Sequence, residues 1–267
     1  MKQVKKDSVE ESPWQSLCRY TQARIALGRC GCSVPTRELM AFKLAHAKAI
    51  DAVHLPLDLA LTARKIREIT ALPTVTLSSA APDRQAYLQR PDLGRLLSPD
   101  SVSQLSRIDK GGTYDISLVV ADGLSSTAIS RNIDPLMRQL VPGLKQKGYR
   151  LAPVSVIEQA RVAVADQVAR LQHSRMTVIF IGERPGLKSP DSLGIYMTYN
   201  PEEGTTDERR NCISNVRKNG LSYAAASFKL MYLIEEAFRR KLSGVNLKDN
   251  QIGHQLLSGS KKISFPA

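Results

Sequence analysis

The chain has 267 residues, 42% of them hydrophobic and 24% charged, close to the averages of soluble globular proteins, so disorder over the whole length is excluded and one large or two modest domains are expected. No apolar run approaches the roughly 20 residues that a bilayer-crossing helix needs, and four cysteines (Cys18, Cys30, Cys32 and Cys212) do not make a secreted disulfide framework. The formal net charge of +13 fits an anionic partner, whether nucleic acid, an acidic subunit or a phosphate-bearing ligand, or simply a solvated basic surface.

The opening residues, Met1 to Ser8, are charged and lack the apolar stretch of a secretory signal, which makes the cytosol the default setting. From about Trp14 to Asp100 the pattern reads as largely helical. Trp14, Leu17, Thr21 and Ile25 recur at helical spacing, and Gly28 stands where such a helix would stop. After the punctuated stretch Gly28 to Pro35, a second helix is expected from Thr36, whose hydroxyl can cap it, through Leu39, Phe42, His46 and Ala49. More helix is expected from Leu59 to Ile69.

Beyond about Gly111 the texture changes to short apolar runs that alternate with amphipathic ones. Ile116 to Ala121 reads as a buried strand ending at Asp122-Gly123, where Ser125 or Ser126 can cap the next helix. That helix carries Ile129, Ile133, Leu136 and Leu140 on one face, until Pro142-Gly143 interrupts it. Tyr149 to Ile157 is a second strand candidate, followed by a helix near Val164 to Leu171. Met176 to Ile181 is the clearest strand, and Leu193 to Tyr199 is another. Leu221, Ala224, Phe228, Met231, Ile234 and Phe238 form one apolar helical stripe, with Arg239-Arg240-Lys241 at its C-terminal dipole and Gly244 as its end. The polar stretch Asn250 to Ala267 reads as a mobile tail. Strands alternating with helices imply an α/β fold with a mostly parallel sheet covered on both faces. The expected division is an N-terminal helical domain, 1–110, and a sheet domain, 111–267.

Ligands of open α/β sheets bind beyond the carboxyl ends of the strands. Two such ends carry unusual residues. Ala121-Asp122-Gly123-Leu124-Ser125-Ser126 is compatible with an ordinary strand-to-helix turn. Gly182-Glu183-Arg184-Pro185-Gly186 is harder to dismiss, because a turn accounts for its proline and glycine but not for an acid and a base on the sheet rim. The polar segment Arg209 to Asn215 holds a lone cysteine, Cys212, which by itself reads as a small packed side chain. Cys30-Gly31-Cys32 has no second ligand pair at zinc spacing, and His46, His54, His173 and His254 are scattered. No G-x-G-x-x-G follows a strand and no Walker A sequence is present, which disfavours nicotinamide and ATP chemistry.

Several strings taken in order resemble one family. Arg24-Ile25-Ala26-Leu27-Gly28-Arg29, Ala80-Ala81-Pro82-Asp83-Arg84, Arg90-Pro91-Asp92-Leu93-Gly94-Arg95 and Val120-Ala121-Asp122-Gly123-Leu124-Ser125 are similar to the small subunit of ethanolamine ammonia-lyase. So are Ile181 to Leu187, Arg210-Asn211-Cys212-Ile213-Ser214-Asn215 and Leu242-Ser243-Gly244-Val245-Asn246, and the likeness runs from about Ser16 to Asp249. The resemblance implies an N-terminal helical region and a C-terminal Rossmann-like domain. It further implies that the chain helps to hold adenosylcobalamin, a cobalt cofactor, at the interface with a large subunit. That partner carries the barrel in which ethanolamine is converted to acetaldehyde and ammonia by radical chemistry. The family's cofactor contacts fall on Val162 in Arg161-Val162-Ala163, on Glu183 and on Cys212.

The protein's part in such a site is binding and orientation, with cobalt–carbon homolysis belonging to the cofactor. Val162 would offer an apolar surface or backbone groups, Glu183 would accept hydrogen bonds from corrin amides, and Cys212 would pack without ligating cobalt. No Asp-x-His-x-x-Gly motif is present, in keeping with the base-on binding of the family. Some members carry an N-terminal extension thought to direct them into bacterial microcompartments; here it is nearly missing, and Cys30 and Cys32 stand where the family often has Ala and Gly. The competing reading, a basic nucleic-acid-binding protein, has dispersed basic residues, few aromatics and no standard binding module to support it.

Overall fold

Short runs of aliphatic side chains build the centre of the fold, because residues buried on both faces of a sheet need no alternation. The structure, a computed structural model, describes residues 9–21, 23–108 and 112–249. The elements in order are α1 (Thr36–His54), α2 (Leu59–Thr70), β1 (Thr74–Ser78), α3 (Arg84–Gln89), α4 (Pro99–Arg107), β2 (Tyr114–Ala121) and α5 (Ser126–Gln146). They continue with β3 (Val154–Glu158), α6 (Val164–Leu171), β4 (Ser174–Gly182), β5 (Leu193–Tyr199), β6 (Arg210–Val216) and α7 (Tyr223–Arg240).

The strands form one mixed sheet in the order β1-β3-β2-β4-β5-β6. β1, β3, β2 and β4 run parallel to one another, whereas β4–β5 and β5–β6 are antiparallel. Successive residues of β2 serve opposite layers. Ile116, Leu118 and Val120 pack into the layer holding α2, α5 and α7, while Val119 and Ala121 pack into the one holding α4 and α6. Ser125 caps α5 by accepting the Ala128 N–H at 3.1 Å, as the sequence suggested.

Several expectations need correction. Among the described residues from Trp14 to Ile25 the one helical element is a 3-10 turn, Gln15–Arg19, and Trp14 and Leu17 are exposed. Thr74–Ser78, inside the stretch expected to be helical, is a strand whose Val75 and Leu77 are buried and which pairs with β3. α1 begins at Thr36, but Pro35 stands at its cap and no side chain caps it. α5 continues through Pro142-Gly143 to Gln146. A helical proline forfeits one backbone bond, and here burial of Leu136, Met137, Leu140, Val141 and Leu144 outweighs that loss. β3 starts at Val154, not Tyr149. The polar segment Arg210–Val216 is a full edge strand. α7 ends on Lys241 in the left-handed region (φ 55°), ahead of Gly244. The expected tail, Asn250 to Ala267, lies outside the described residues.

Candidate functional site

The carboxyl ends of β2, β3, β4 and β6 meet along one edge of the sheet. Its architecture rests on two glycines. Gly123 has φ +58°, and a Cβ there would stand 2.3 Å from the Gly182 carbonyl oxygen. A Cβ on Gly182 would stand 2.1 Å from the Ser125 carbonyl oxygen. The two rim segments that looked separate in the sequence are therefore pressed together, and Leu124 N donates to Gly182 O at 2.9 Å. Only glycine at both positions permits that approach.

This contact fixes the direction in which the chain leaves β4 and presents Glu183. The Glu183 carboxylate accepts hydrogen bonds from Ser192 Oγ and Ser214 Oγ, both at 2.5 Å, and from Asn215 N at 3.3 Å. Its side chain lies over Gly194, where a Cβ would meet Glu183 Oε1 at 3.0 Å and Tyr196 at 3.2 Å. Glu183 thus ties the end of β4 to the start of β5 and the end of β6.

Cys212 sits across from Tyr196 in the β5–β6 ladder, and it and Ser214 are exposed. Desolvation raises the Cys212 thiol; a hydrogen bond with Tyr196 opposes this and the Glu183 charge adds to it. The Tyr196 phenol is pushed well above its usual range by burial, with Cys212 and Glu183 contributing. Cys212 is consequently a neutral thiol at physiological pH, suited to packing or weak hydrogen bonding.

Val162 lies just past the carboxyl end of β3, half-buried, and packs with Tyr196 against the hydrophobic layer on the α4–α6 side. Beside it a buried polar group closes the rim. Asp122 accepts from Arg84 at 3.2 Å and from Ala160 N at 3.2 Å, and burial pushes its carboxyl upward. Arg84 and Arg161 flank the Tyr87 ring at 4.8 and 4.3 Å. Glu183 and Cys212 therefore share one region, and Val162 borders the same hydrophobic layer.

Sequence reasoning missed Ser192 and Ser214 as the partners of Glu183. β6 buries Arg210, Ile213 and Val216, three residues apart across an irregularity in its register with β5, so no period-two alternation marked the strand. Of that segment, Arg210 and Asn211 turn away. Arg210 makes a buried ion pair with Asp166, and Asn211 binds the backbone of Gly244 and Leu247. Among the described residues, no group of three or more His, Cys, Asp or Glu side chains is arranged to hold a metal ion.

The family model for the ethanolamine ammonia-lyase light chain (EutC) matches residues 11–248. The chain belongs to that family. It is 56% identical over 241 residues to the ethanolamine ammonia-lyase small subunit of Azotobacter vinelandii, covering 90% of this chain and 89% of the relative. It is similarly 54% identical over 244 residues to that of Ralstonia nicotianae, covering 91% and 90%. Pseudomonas fluorescens has another such small subunit, 53% identical over 241 residues and covering 90% and 88%. The corrected elements, β1 and β6 included, all fall within the matched span.

Proposed function

We propose that this chain is the subunit of an ethanolamine ammonia-lyase that holds adenosylcobalamin against a large catalytic partner, through Val162, Glu183 and Cys212. The observation that carries the reading is Glu183 on the rim. A carboxylate offers about four acceptor positions, and Ser192, Ser214 and Asn215 take up only part of that capacity. Glu183 is pre-oriented and retains room for a donor such as a corrin amide. The neutral Cys212 thiol, the half-buried Val162 and the exposed Ser214 hydroxyl suit the mixed apolar and amide periphery of a corrin. When bound, the cofactor would supply the cobalt–carbon bond whose homolysis starts the deamination of ethanolamine to acetaldehyde and ammonia. This chain would orient the macrocycle and shield one side of it from water.

A large partner subunit is also supported by α1. Ala52 is its one fully buried residue, while Leu39, Met40, Phe42, Leu44 and Ile50 are exposed. A helix with that much uncovered apolar surface suits burial against another chain. We read β1-β3-β2-β4 as Rossmann-like on its parallel order, its helices on both faces and its polar rim at the strand carboxyl ends.

The test is co-expression with the neighbouring large-subunit reading frame, followed by cobalamin titration of the purified complex. The isolated chain should show no turnover. Glu183→Ala should raise the cobalamin Kd about tenfold or more, the worth of one hydrogen bond to a charged group. Deaminase activity from this chain alone, or an unchanged Kd, would reject the proposal.

A further inference from the structure

Cys30-Gly31-Cys32 takes no part in the rim contacts, and the structure folds it into a closed turn. Cys30 N donates to Ser33 O at 2.8 Å, and Ser33 N donates to Cys30 O at 3.1 Å. Gly31, the first of the two central residues, has φ +59°, the left-handed region that a type II′ hairpin turn assigns to glycine. The turn is anchored at both ends. Just before it, Glu10 and Arg29 exchange backbone hydrogen bonds at 2.8 and 2.9 Å and form an ion pair at 2.6 Å. Shortly after it, α1 starts at Thr36.

This geometry suits bond formation between the two sulfurs. In an extended chain, residues two apart are separated by about 6.6 Å, near the upper limit of roughly 6.8 Å between the Cα atoms of a disulfide. A turn shortens that span. Both thiols are exposed. A Cβ added to Gly31 would meet no atom within 4 Å, so a small disulfide can reach the apex. The other two cysteines differ. Cys18 donates its thiol to Ile25 O at 3.6 Å, and desolvation raises the Cys212 thiol. Among the described residues, no group of three or more His, Cys, Asp or Glu side chains gathers around the pair as a zinc site would need.

We propose that Cys30 and Cys32 are a reversible dithiol–disulfide couple, oxidised by a low-molecular-weight disulfide such as oxidised glutathione. The thiolate of one cysteine attacks the glutathione S–S bond, forming a protein–glutathione disulfide and releasing one glutathione thiolate. The other cysteine, as thiolate, attacks the protein sulfur, closes the Cys30–Cys32 bond and expels the second glutathione. Two electrons pass from the dithiol to the glutathione disulfide, and the two cysteine protons end on the two glutathione thiols. The second attack is intramolecular and works at a high effective concentration. An exposed disulfide of this kind is the labile sort that ambient thiols reopen. Closing the ring stiffens the lead-in from the Glu10–Arg29 ladder to α1.

The test equilibrates the full chain with reduced and oxidised glutathione over a series of ratios, quenches with acid, alkylates the remaining thiols and maps them by mass spectrometry. Trypsin cuts after Arg29 and Arg37, so both cysteines fall in one peptide, 30–37. That peptide should pass from doubly alkylated to internally bridged as the oxidised share rises, and return when reduced glutathione is added, while Cys18 and Cys212 stay alkylated. Cys30→Ser and Cys32→Ser should each stop at the mixed glutathione disulfide, holding about tenfold more of it than the parent. Gly31→Ala, which has to keep a side chain at φ +59°, should lower the closure constant about fivefold. A parent that stops at mixed disulfides, stays doubly alkylated at every ratio, or oxidises Cys18 and Cys212 in step with the pair would overturn the proposal. A closure constant in Gly31→Ala equal to the parent's would overturn it too, by detaching closure from the turn.

Discussion

Replacing Arg210 by methionine should be among the most costly single changes near the site. Arg210 opens β6, and its guanidinium donates to both Asp166 carboxylate oxygens at 2.7 Å, to Thr198 Oγ1 at 3.1 Å and to Thr205 O at 2.8 Å. The two side chains are 3% and 9% exposed, so water cannot take over either role. Removing one partner of a buried pair leaves an uncompensated charge and costs about 3–5 kcal/mol, a large part of a total that is typically about 5–15 kcal/mol. With a urea slope of about 1–3 kcal/mol/M, the unfolding midpoint should fall by about 1–3 M.

The pH dependence follows from the carboxyl left behind. Burial pushes Asp166 above the usual carboxylate range, and Arg210 pulls it back. In Arg210→Met the upward push of burial is opposed only by the smaller pull of the Arg170 charge. The folded variant then holds that proton at a higher pH than the unfolded chain does. Its deficit should be full above the raised folded pKa and should shrink as pH falls through it. Arg210→Met combined with Asp166→Leu should recover most of the loss at neutral pH, because no buried charge is then left alone. A single-variant cost below about 1 kcal/mol, or a double variant as unstable as the sum of the two single variants, would refute this account. The site should feel the change as well, since β6 carries Ser214 and Asn215 to Glu183.

Gly182→Ala should abolish the rim, as the new Cβ would stand 2.1 and 2.4 Å from two carbonyl oxygens; a loss above about 4 kcal/mol is expected, and a melt like that of the parent would contradict it. Ser125→Ala removes the α5 cap and the bond to Pro190 O at 2.7 Å, so the thermal midpoint should drop by about 2–6 °C. The Cys212 thiol, raised by its surroundings, should be alkylated several-fold more slowly at pH 8 than a free cysteine peptide, with rates rising at more alkaline pH; mass-spectrometric labelling kinetics at Cys212 as fast as the peptide's would remove that account. Tyr87→Phe deletes a buried hydroxyl that donates to Ala160 O at 3.1 Å, and calorimetry should register about 1 kcal/mol.

Residue order alone determined much of this protein. β2, β4 and β5 were legible as apolar runs because strands buried on both faces are built mainly from apolar side chains, with Ser117, Thr177 and Thr198 the buried polar exceptions. α2, α6 and α7 were legible from their stripes, and the rim residues Asp122 and Glu183 from their place after such strands. Tertiary structure decided the rest. β1 and β6 lie at the sheet edges, where one side of the ladder and much of a face stay uncovered, so their composition carries little hydrophobic signal. The Arg210–Asp166 pair spans 44 positions, and Ser214 reaches Glu183 across 31. No local periodicity encodes such meetings. The glycine pair is the clearest case. Gly123 read as an ordinary turn residue and Gly182 only as the start of the rim segment, and the approach of the two rims shows that neither has room for a methyl group.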